Sequence, residues 1–156
     1  MESSAEQTSK MLRSQTLSFF SQNRVMSCNT AKRLVSRVVA SKAIQNVGPP
    51  DCSEMLSDPD VVYLDVRTPE EYNAGHVNGA VLIPAFDRGP SGMAPNPEVV
   101  AAVKAQFPEK DTTLVVGCKV GGRSSAACNL LQAEGYTKLF NLTGGYDAWE
   151  AWSAAK

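Results

Sequence analysis

The feature that most constrains the fold is an apolar run followed by a glycine-containing loop and a helical segment. Residues 113–117 are mostly β-branched and aliphatic and end in Gly117, a pattern typical of a strand buried on both faces of a sheet. The segment from about residue 123 to residue 134 predicts a helix, and Gly135 provides its stop. A buried strand joined to a helix in this way predicts an α/β fold.

The chain after residue 47 repeats this alternation. Gly48-Pro49-Pro50 marks a domain boundary, and Asp51 or Ser53 is predicted to cap a short helix through Leu56. Alternating strands and helices call for a parallel sheet that is covered on both faces by right-handed crossovers. Glycines and prolines interrupt residues 87–97, so we predict a loop there. The other predicted elements are strands at residues 61–65, 80–84 and 138–142, and helices after the Thr68 cap, at residues 97–107 and after Gly145.

The N-terminal part differs from the rest of the chain in charge. Residues 1–46 hold seven Lys or Arg and two Glu, a net charge of +5, whereas the remainder carries −6. A basic, serine-rich and acid-poor segment is typical of an organellar transit peptide, and a disordered basic tail or a lone docking helix is the alternative. No apolar run is long enough for a membrane span, and no charge block or phosphate-loop motif indicates nucleic acid or nucleotide binding.

The loop after the central strand contains a candidate nucleophile, Cys118. Gly121 and Gly122 allow the backbone to curl, so that successive N–H groups point at one anionic atom at the start of a helix. The charges of Lys119 and Arg123 lie next to the same position, so we place Cys118 at the mouth of this concavity as a thiolate. The alternative is a cysteine that acts as a small buried hydrophobe.

The loop and four further motifs resemble the single-domain rhodaneses, the thiosulfate sulfurtransferases, and most closely the small plant senescence-associated type. The resemblance covers residues 47–156, which we interpret as one rhodanese domain after the extension at residues 1–46. It implies an open parallel five-stranded sheet with helices on both faces, preceded by a flexible N-terminal extension. The motifs are Cys118-Lys119-Val120-Gly121-Gly122-Arg123-Ser124, Tyr63-Leu64-Asp65-Val66-Arg67 with Glu70-Glu71-Tyr72, Gly75-His76-Val77 with Gly79-Ala80, Ile83-Pro84, and Gly144-Gly145-Tyr146 with Trp149.

The resemblance implies transfer of sulfur through a Cys118 persulfide, with no metal and no other cofactor. The donor is thiosulfate or another small anion, and the acceptor is cyanide or a thiol, with thioredoxin and glutathione as candidates. Asp65 and Arg67 follow a strand at the same sheet edge and either shape the active-site rim or pair with each other or with Glu71. The residues expected to bind substrate are Lys119, Val120, Gly121, Gly122, Arg123, Ser124 and, from the preceding loop, Arg88. For Arg88 a plain position on the surface is the alternative.

Two other classes of function remain open. Related phosphatases and arsenate reductases have a loop one residue longer, Cys-x5-Arg, which fits a tetrahedral oxyanion. Cys118 to Arg123 is the shorter Cys-x4-Arg, which favours sulfur over phosphate or arsenate. A non-catalytic interaction module is the third class, although such modules lose the cysteine that this chain keeps.

The remaining cysteines and aromatic residues receive structural interpretations. Cys128 follows the loop on a helix and is expected to be buried, with a Cys118–Cys128 disulfide as a minor alternative. His76 is expected to bind backbone in a turn rather than transfer protons. Trp149 and Trp152 are expected to pack on the domain. The resemblance to plant proteins favours the plastid as the destination, with the mitochondrion as the alternative.

Overall fold

A computed structural model describes residues 43–156 and shows a parallel five-stranded sheet beside a two-stranded hairpin. The predictions for the transit peptide, the flexible extension and Cys28 lie outside these residues. No helix among residues 43–156 is long and apolar enough to cross a membrane. The strands are β1 (Gln45–Val47), β2 (Val61–Asp65), β3 (Val81–Leu82), β4 (Phe86–Gly89), β5 (Gly92–Pro95), β6 (Thr113–Gly117) and β7 (Leu139–Leu142).

The sheet order is β1-β7-β6-β2-β3, with all neighbouring pairs parallel, which confirms the predicted fold class. Strand β6 is central and every one of its residues is buried, as its continuous apolar run predicts. Helices within residues 43–156 cover both faces. They are α1 (Pro49–Met55), α2 (Pro69–Ala74), α3 (Val99–Gln106), α4 (Gly122–Ala133) and α5 (Gly145–Ala154).

Alternate residues of β6 face two separate cores. Leu114 and Val116 pack in a cluster with side chains of α3 and α4, whereas Val115 packs with side chains of α1 and β7. Both clusters are built from aliphatic and aromatic groups that are almost completely buried. Because two layers of helices enclose the sheet, the ends of its strands are the natural place for a site.

The register of β2 and β6 places two predicted site segments side by side. Asp65, the last residue of β2, pairs with Gly117, the last residue of β6, so Cys118 follows at the same edge. The Val66 N–H continues the ladder by donating to the Gly117 carbonyl at 2.9 Å. Helix α2 starts after Thr68 with the predicted capping box, in which the Thr68 side chain and Glu71 satisfy each other's backbone N–H groups.

Three predictions of local structure are wrong. Residues 86–95 form the β4–β5 hairpin rather than the predicted loop. The sequence does not reveal this hairpin, because Pro90 lies in its turn and both faces are largely exposed, so the strands show no apolar alternation. Helix α1 begins at Pro49 with Gly48 as its cap, rather than at Asp51 or Ser53, because proline suits the first helical position.

The third difference is β1, which pairs with β7 from Gln45 onward and therefore begins before the predicted boundary at residue 47. A three-residue edge strand with two amide side chains lacks the hydrophobic pattern that identifies longer strands. The edge strand thus brings Asn46 into the folded domain.

Candidate active site

The loop between β6 and α4 wraps its backbone around the sulfur of Cys118. The Gly121 N–H donates to Cys118 Sγ at 3.0 Å, and the N–H groups of Val120 and Ser124 also stabilise the ionised sulfur. Gly121 has φ of 102°, a left-handed conformation that glycine adopts without strain, whereas Gly122 has no positive φ. The predicted curl therefore depends on one of the two glycines.

The sulfur lies at the bottom of the loop rather than at its mouth, which corrects the predicted position. Only 1% of the Cys118 surface is exposed, whereas Val120, at the tip of the loop, is 66% exposed. The Ser124 hydroxyl lies beneath the sulfur, with Oγ 3.4 Å from Sγ. The loop therefore shields the sulfur while its amide groups face it.

These hydrogen bonds set the ionisation of Cys118. Burial alone would raise the pKa of the thiol, but the Ser124 hydroxyl and the amides of Ser124, Gly121 and Val120 outweigh burial and lower the pKa below its usual value. The two core cysteines, Cys52 and Cys128, lack such donors, and burial raises the pKa of each to about 12. All three are free thiols, so the structure contains no Cys118–Cys128 disulfide.

The first turn of α5 holds the loop in this orientation. The Tyr146 N–H donates to the Cys118 carbonyl at 2.7 Å, and the Asp147 N–H donates to the Lys119 carbonyl at 3.1 Å. Turning these carbonyls toward α5 leaves the amides of the loop free to face the sulfur. A Cβ on Gly145 would collide with both carbonyl oxygens, so this close approach requires glycine.

Arg123 is bound by Glu71 and does not reach toward the sulfur with its terminal nitrogens. Its Nη1 and Nη2 each donate to one Glu71 carboxylate oxygen at 2.7 Å. Glu71 also accepts the Thr68 N–H at 3.1 Å, so one carboxylate joins the starts of α2 and α4. The hydrogen bonds from Arg123 are the main cause that lowers the pKa of Glu71 to about 2. Both terminal nitrogens of Arg123 are thus occupied by Glu71, and substrate binding by Arg123 stays a prediction.

Asp65 and Arg67 form a buried ion pair at the rim. Arg67 donates from Nε and Nη2 to the Asp65 carboxylate, and Nη2 also donates to the Gly75 carbonyl at 2.7 Å. The guanidinium lies 4.1 Å from the centre of the Tyr146 ring. Because every one of these contacts joins elements of the fold, the structure supports the structural interpretation of this pair over a direct chemical role.

A chain of polar side chains continues from the sulfur to the edge of the sheet. Ser124 Oγ is 2.7 Å from Asn141 Oδ1, and Asn141 Nδ2 donates to Asn46 Oδ1 at 2.9 Å. Ser124 is completely buried and Asn141 is nearly so. Neither asparagine is recognisable as a site residue from the sequence, because the two lie 95 residues apart and belong to no motif.

A polar cleft of about 200 Å³ opens beside the loop. Lys119 is exposed at its edge, and no ion pair joins Lys119 to another of the described residues. Among residues 43–156, no group of His, Cys, Asp or Glu is arranged to hold a metal ion. The residues lining the cleft are Arg67, Glu71, Ala74, Gly75, Lys119, Tyr146, Asp147 and Glu150.

The structure does not place Arg88 in this site. Arg88 is exposed on β4, and no hydrogen bond or ion pair of the described residues joins it to the Cys118 loop. Its charge acts on Glu70, whose pKa is lowered mainly by the Thr68 side chain and to a smaller extent by Arg88.

The aromatic predictions are confirmed. His76 Nδ1 is 3.1 Å from the Tyr72 carbonyl oxygen, and the His76 ring stacks on the Tyr72 ring, so this histidine holds a turn. Trp149 packs against the core, and its ring lies 5.3 Å from that of Trp152.

Comparisons with known proteins identify the family. The model of the rhodanese-like domain matches residues 48–151. Thiosulfate sulfurtransferase 16, chloroplastic, from Arabidopsis thaliana is 46% identical over 87 residues, which are 56% of this chain and 72% of that protein. Senescence-associated protein DIN1 from Raphanus sativus is 32% identical over 121 residues, which cover 78% of this chain and 62% of DIN1.

A solved structure agrees with these sequence matches. The solution structure of a rhodanese-like domain from Anabaena sp. superposes with a TM-score of 0.58 at 26% identity, covering 70% of this chain and 75% of that one. The region matched by the family model contains the Cys118 loop, strands β2 to β7 and helices on both faces of the sheet. By sequence and by fold, this chain belongs to the rhodanese-like domain family.

Proposed function

We propose that the protein is a thiosulfate sulfurtransferase that carries sulfur as a persulfide on Cys118. The observation that carries the proposal is the set of backbone donors around one sulfur, with the Gly121 N–H 3.0 Å from Sγ. Such fixed donors stabilise a negative charge without rearrangement, as in an oxyanion hole. The names of plant relatives as thiosulfate sulfurtransferases support the same activity.

The reaction consists of two displacements at sulfur. The Cys118 thiolate attacks the outer sulfur of thiosulfate, a new S–S bond forms, and the bond to the sulfonate sulfur breaks with its electron pair leaving on sulfite. An acceptor such as cyanide then attacks the outer sulfur of the persulfide, and the Cys118 thiolate leaves. Neither step requires a proton transfer when the thiol is already ionised, which agrees with its lowered pKa.

Lys119 and the neighbouring cleft are suited to the two substrates. Because both terminal nitrogens of Arg123 bind Glu71, Lys119 is the cation of the loop that remains available to an anionic donor. The cleft offers room for a thiol acceptor, and its acidic residues Asp147 and Glu150 lie on helix α5. Glutathione and the active-site thiols of thioredoxin are acceptors of this chemical class.

Mass spectrometry after exposure to thiosulfate tests the proposal. We expect the gain of one sulfur atom on the peptide containing Cys118, reversed by cyanide with formation of thiocyanate. Cys118→Ser should abolish both results and keep the fold, whereas Cys128→Ala should keep both. Wild-type transfer by the Cys118→Ser variant would contradict the assignment of Cys118 as the sulfur carrier.

The same samples distinguish the other classes of function. A phosphatase or arsenate reductase would turn over a chromogenic phosphate ester or arsenate and would gain no sulfur, and an interaction module would do neither. The Cys-x4-Arg loop closes its amides around a single sulfur atom, which favours sulfur transfer.

We also propose delivery of the protein to the plastid by residues 1–46. The support is the basic and serine-rich composition of this segment and the chloroplastic name of a relative. A fluorescent protein fused after residue 46 should accumulate in plastids of plant cells. Accumulation in mitochondria would instead support the alternative address.

A further inference from the structure

The hydroxyl beneath the Cys118 sulfur has one proton and three acceptors within reach. Ser124 Oγ lies 2.7 Å from Asn141 Oδ1, 3.0 Å from the Gly121 carbonyl oxygen and 3.4 Å from Cys118 Sγ. Because a hydroxyl donates one hydrogen bond, only one of these acceptors receives the proton at a time. The shortest contact, to Asn141, competes with the sulfur for that proton, so Ser124 lowers the pKa of Cys118 only when its hydroxyl donates to the sulfur instead.

The two asparagines allow a second arrangement in the same space. The oxygen and the nitrogen of a side-chain amide are nearly equal in size, so a half-turn of Asn141 exchanges them without moving its neighbours. Asn141 would then donate to Ser124 Oγ, and the Ser124 hydroxyl would donate to the sulfur. A matching half-turn of Asn46, at the exposed end of this series of hydrogen bonds, would let Asn46 donate to Asn141.

We propose that Asn46 and Asn141 form a hydrogen-bond switch that determines whether Ser124 donates to the Cys118 sulfur. The arrangement in which Ser124 donates to Asn141 fits the neutral thiol. The turned arrangement, in which Ser124 donates to the sulfur, fits the thiolate and, given the proposed function, the persulfide anion. A charged sulfur is the stronger acceptor, so ionisation itself favours the turned arrangement. Asn141 and Asn46 are therefore positioning residues that act through Ser124.

Asn46→Asp tests the switch from its outer end. A carboxylate at this position can only accept, so it fixes Asn141 with Nδ2 toward residue 46 and Oδ1 toward Ser124. The Ser124 proton then stays away from the sulfur, and we expect the pKa of Cys118 to rise by about 1. Asn46→Ala leaves Asn141 free to turn and should change the pKa of Cys118 little.

Two controls separate the switch from simple electrostatics. Thr143→Asp adds the same charge at an exposed residue whose N–H binds the Val47 carbonyl, next to Asn46, but outside the hydrogen-bond chain. It should shift the thiol pKa much less than Asn46→Asp does, because both charges are screened alike by solvent but only residue 46 accepts from Asn141 and can fix its orientation. In a Ser124→Ala background, Asn46→Asp should lose most of its effect, because the group through which it acts is gone.

The measurement is the pH dependence of thiolate absorbance and of alkylation of Cys118 in the full chain. The other groups that act on this sulfur are Lys119 beside it and Arg123, Tyr63 and Cys128, all unchanged in these variants. Equal pKa values for Asn46→Asp and Asn46→Ala, or an Asn46→Asp effect that persists in Ser124→Ala, would overturn the switch. Because this readout needs no sulfur transfer, it tests the switch even if Cys118 fails to acquire sulfur.

Discussion

Glu71→Gln tests how the loop is held, because this carboxylate binds both terminal nitrogens of Arg123. Glutamine keeps the size of the side chain and can still accept the Thr68 N–H, but it removes the negative charge and one of the two acceptors for Arg123. The substitution therefore weakens the link between the starts of α2 and α4 and leaves the capping contact in place. We expect a loss of both stability and sulfur-transfer rate.

The size of the stability loss follows from the ionisation of Glu71. Arg123 is the main cause that lowers the pKa of Glu71 from 4.5 to about 2, a shift that corresponds to about 3 kcal/mol. The Arg123 and Glu71 side chains remain 19% and 24% exposed, so solvent screens the pair. After this screening we expect Glu71→Gln to lower the free energy of unfolding by about 1 to 2 kcal/mol at neutral pH.

The pH dependence has a definite sign. The pKa of Glu71 is lower in the folded protein than in the unfolded chain. The ionised carboxylate therefore contributes its full stabilisation of the fold at pH values above the pKa of the unfolded chain. The stabilisation is lost as the pH falls from about 4.5 toward about 2. The difference between wild type and Glu71→Gln should therefore shrink over this range.

Urea unfolding followed by tryptophan fluorescence provides the assay, since Trp149 packs on the core. Glu134→Gln is the matched control, because it removes a carboxylate from an ion pair with Lys104 in which both side chains are about 40% exposed. We expect that control to cost little, because an ion pair this exposed to solvent contributes little to stability. Equal effects of the two substitutions, or a Glu71→Gln effect that does not change with pH, would refute the role of the pair.

Further predictions concern the loop and its thiol. Gly145→Ala should destabilise the fold by several kcal/mol and abolish transfer, because its Cβ meets two carbonyl oxygens. Gly122→Ala should keep both stability and transfer, because position 122 has open space around it and no positive φ. Urea unfolding and thiocyanate formation measure these effects. Lys119→Gln should raise KM for thiosulfate several-fold while leaving the fold unchanged, and an unchanged KM would exclude Lys119 from donor binding. Iodoacetamide at neutral pH should label Cys118 and spare the two core cysteines, which peptide mapping checks.

The parts of the fold that were predictable are those in which local sequence and burial agree. The apolar run of β6 and the Thr68 capping box each carry a complete signal within a few residues, and both are present. The β4–β5 hairpin and β1 carry no such signal, because one is exposed on both faces and the other is a three-residue edge strand. Their formation depends on partners that a local pattern does not contain.

The same distinction explains the errors at the site. The Cys118 loop was predictable because its cysteine, glycines and helix start are adjacent in the chain. The partner of Arg123 was not, because Glu71 lies 52 residues away and already had a sufficient local role in the capping box. A long cationic side chain next to a nucleophile suggests substrate binding, yet pairing within the protein stabilises an arginine whenever a carboxylate is within reach. For Arg123 the fold supplies that carboxylate, and this leaves the exposed Lys119 for the substrate.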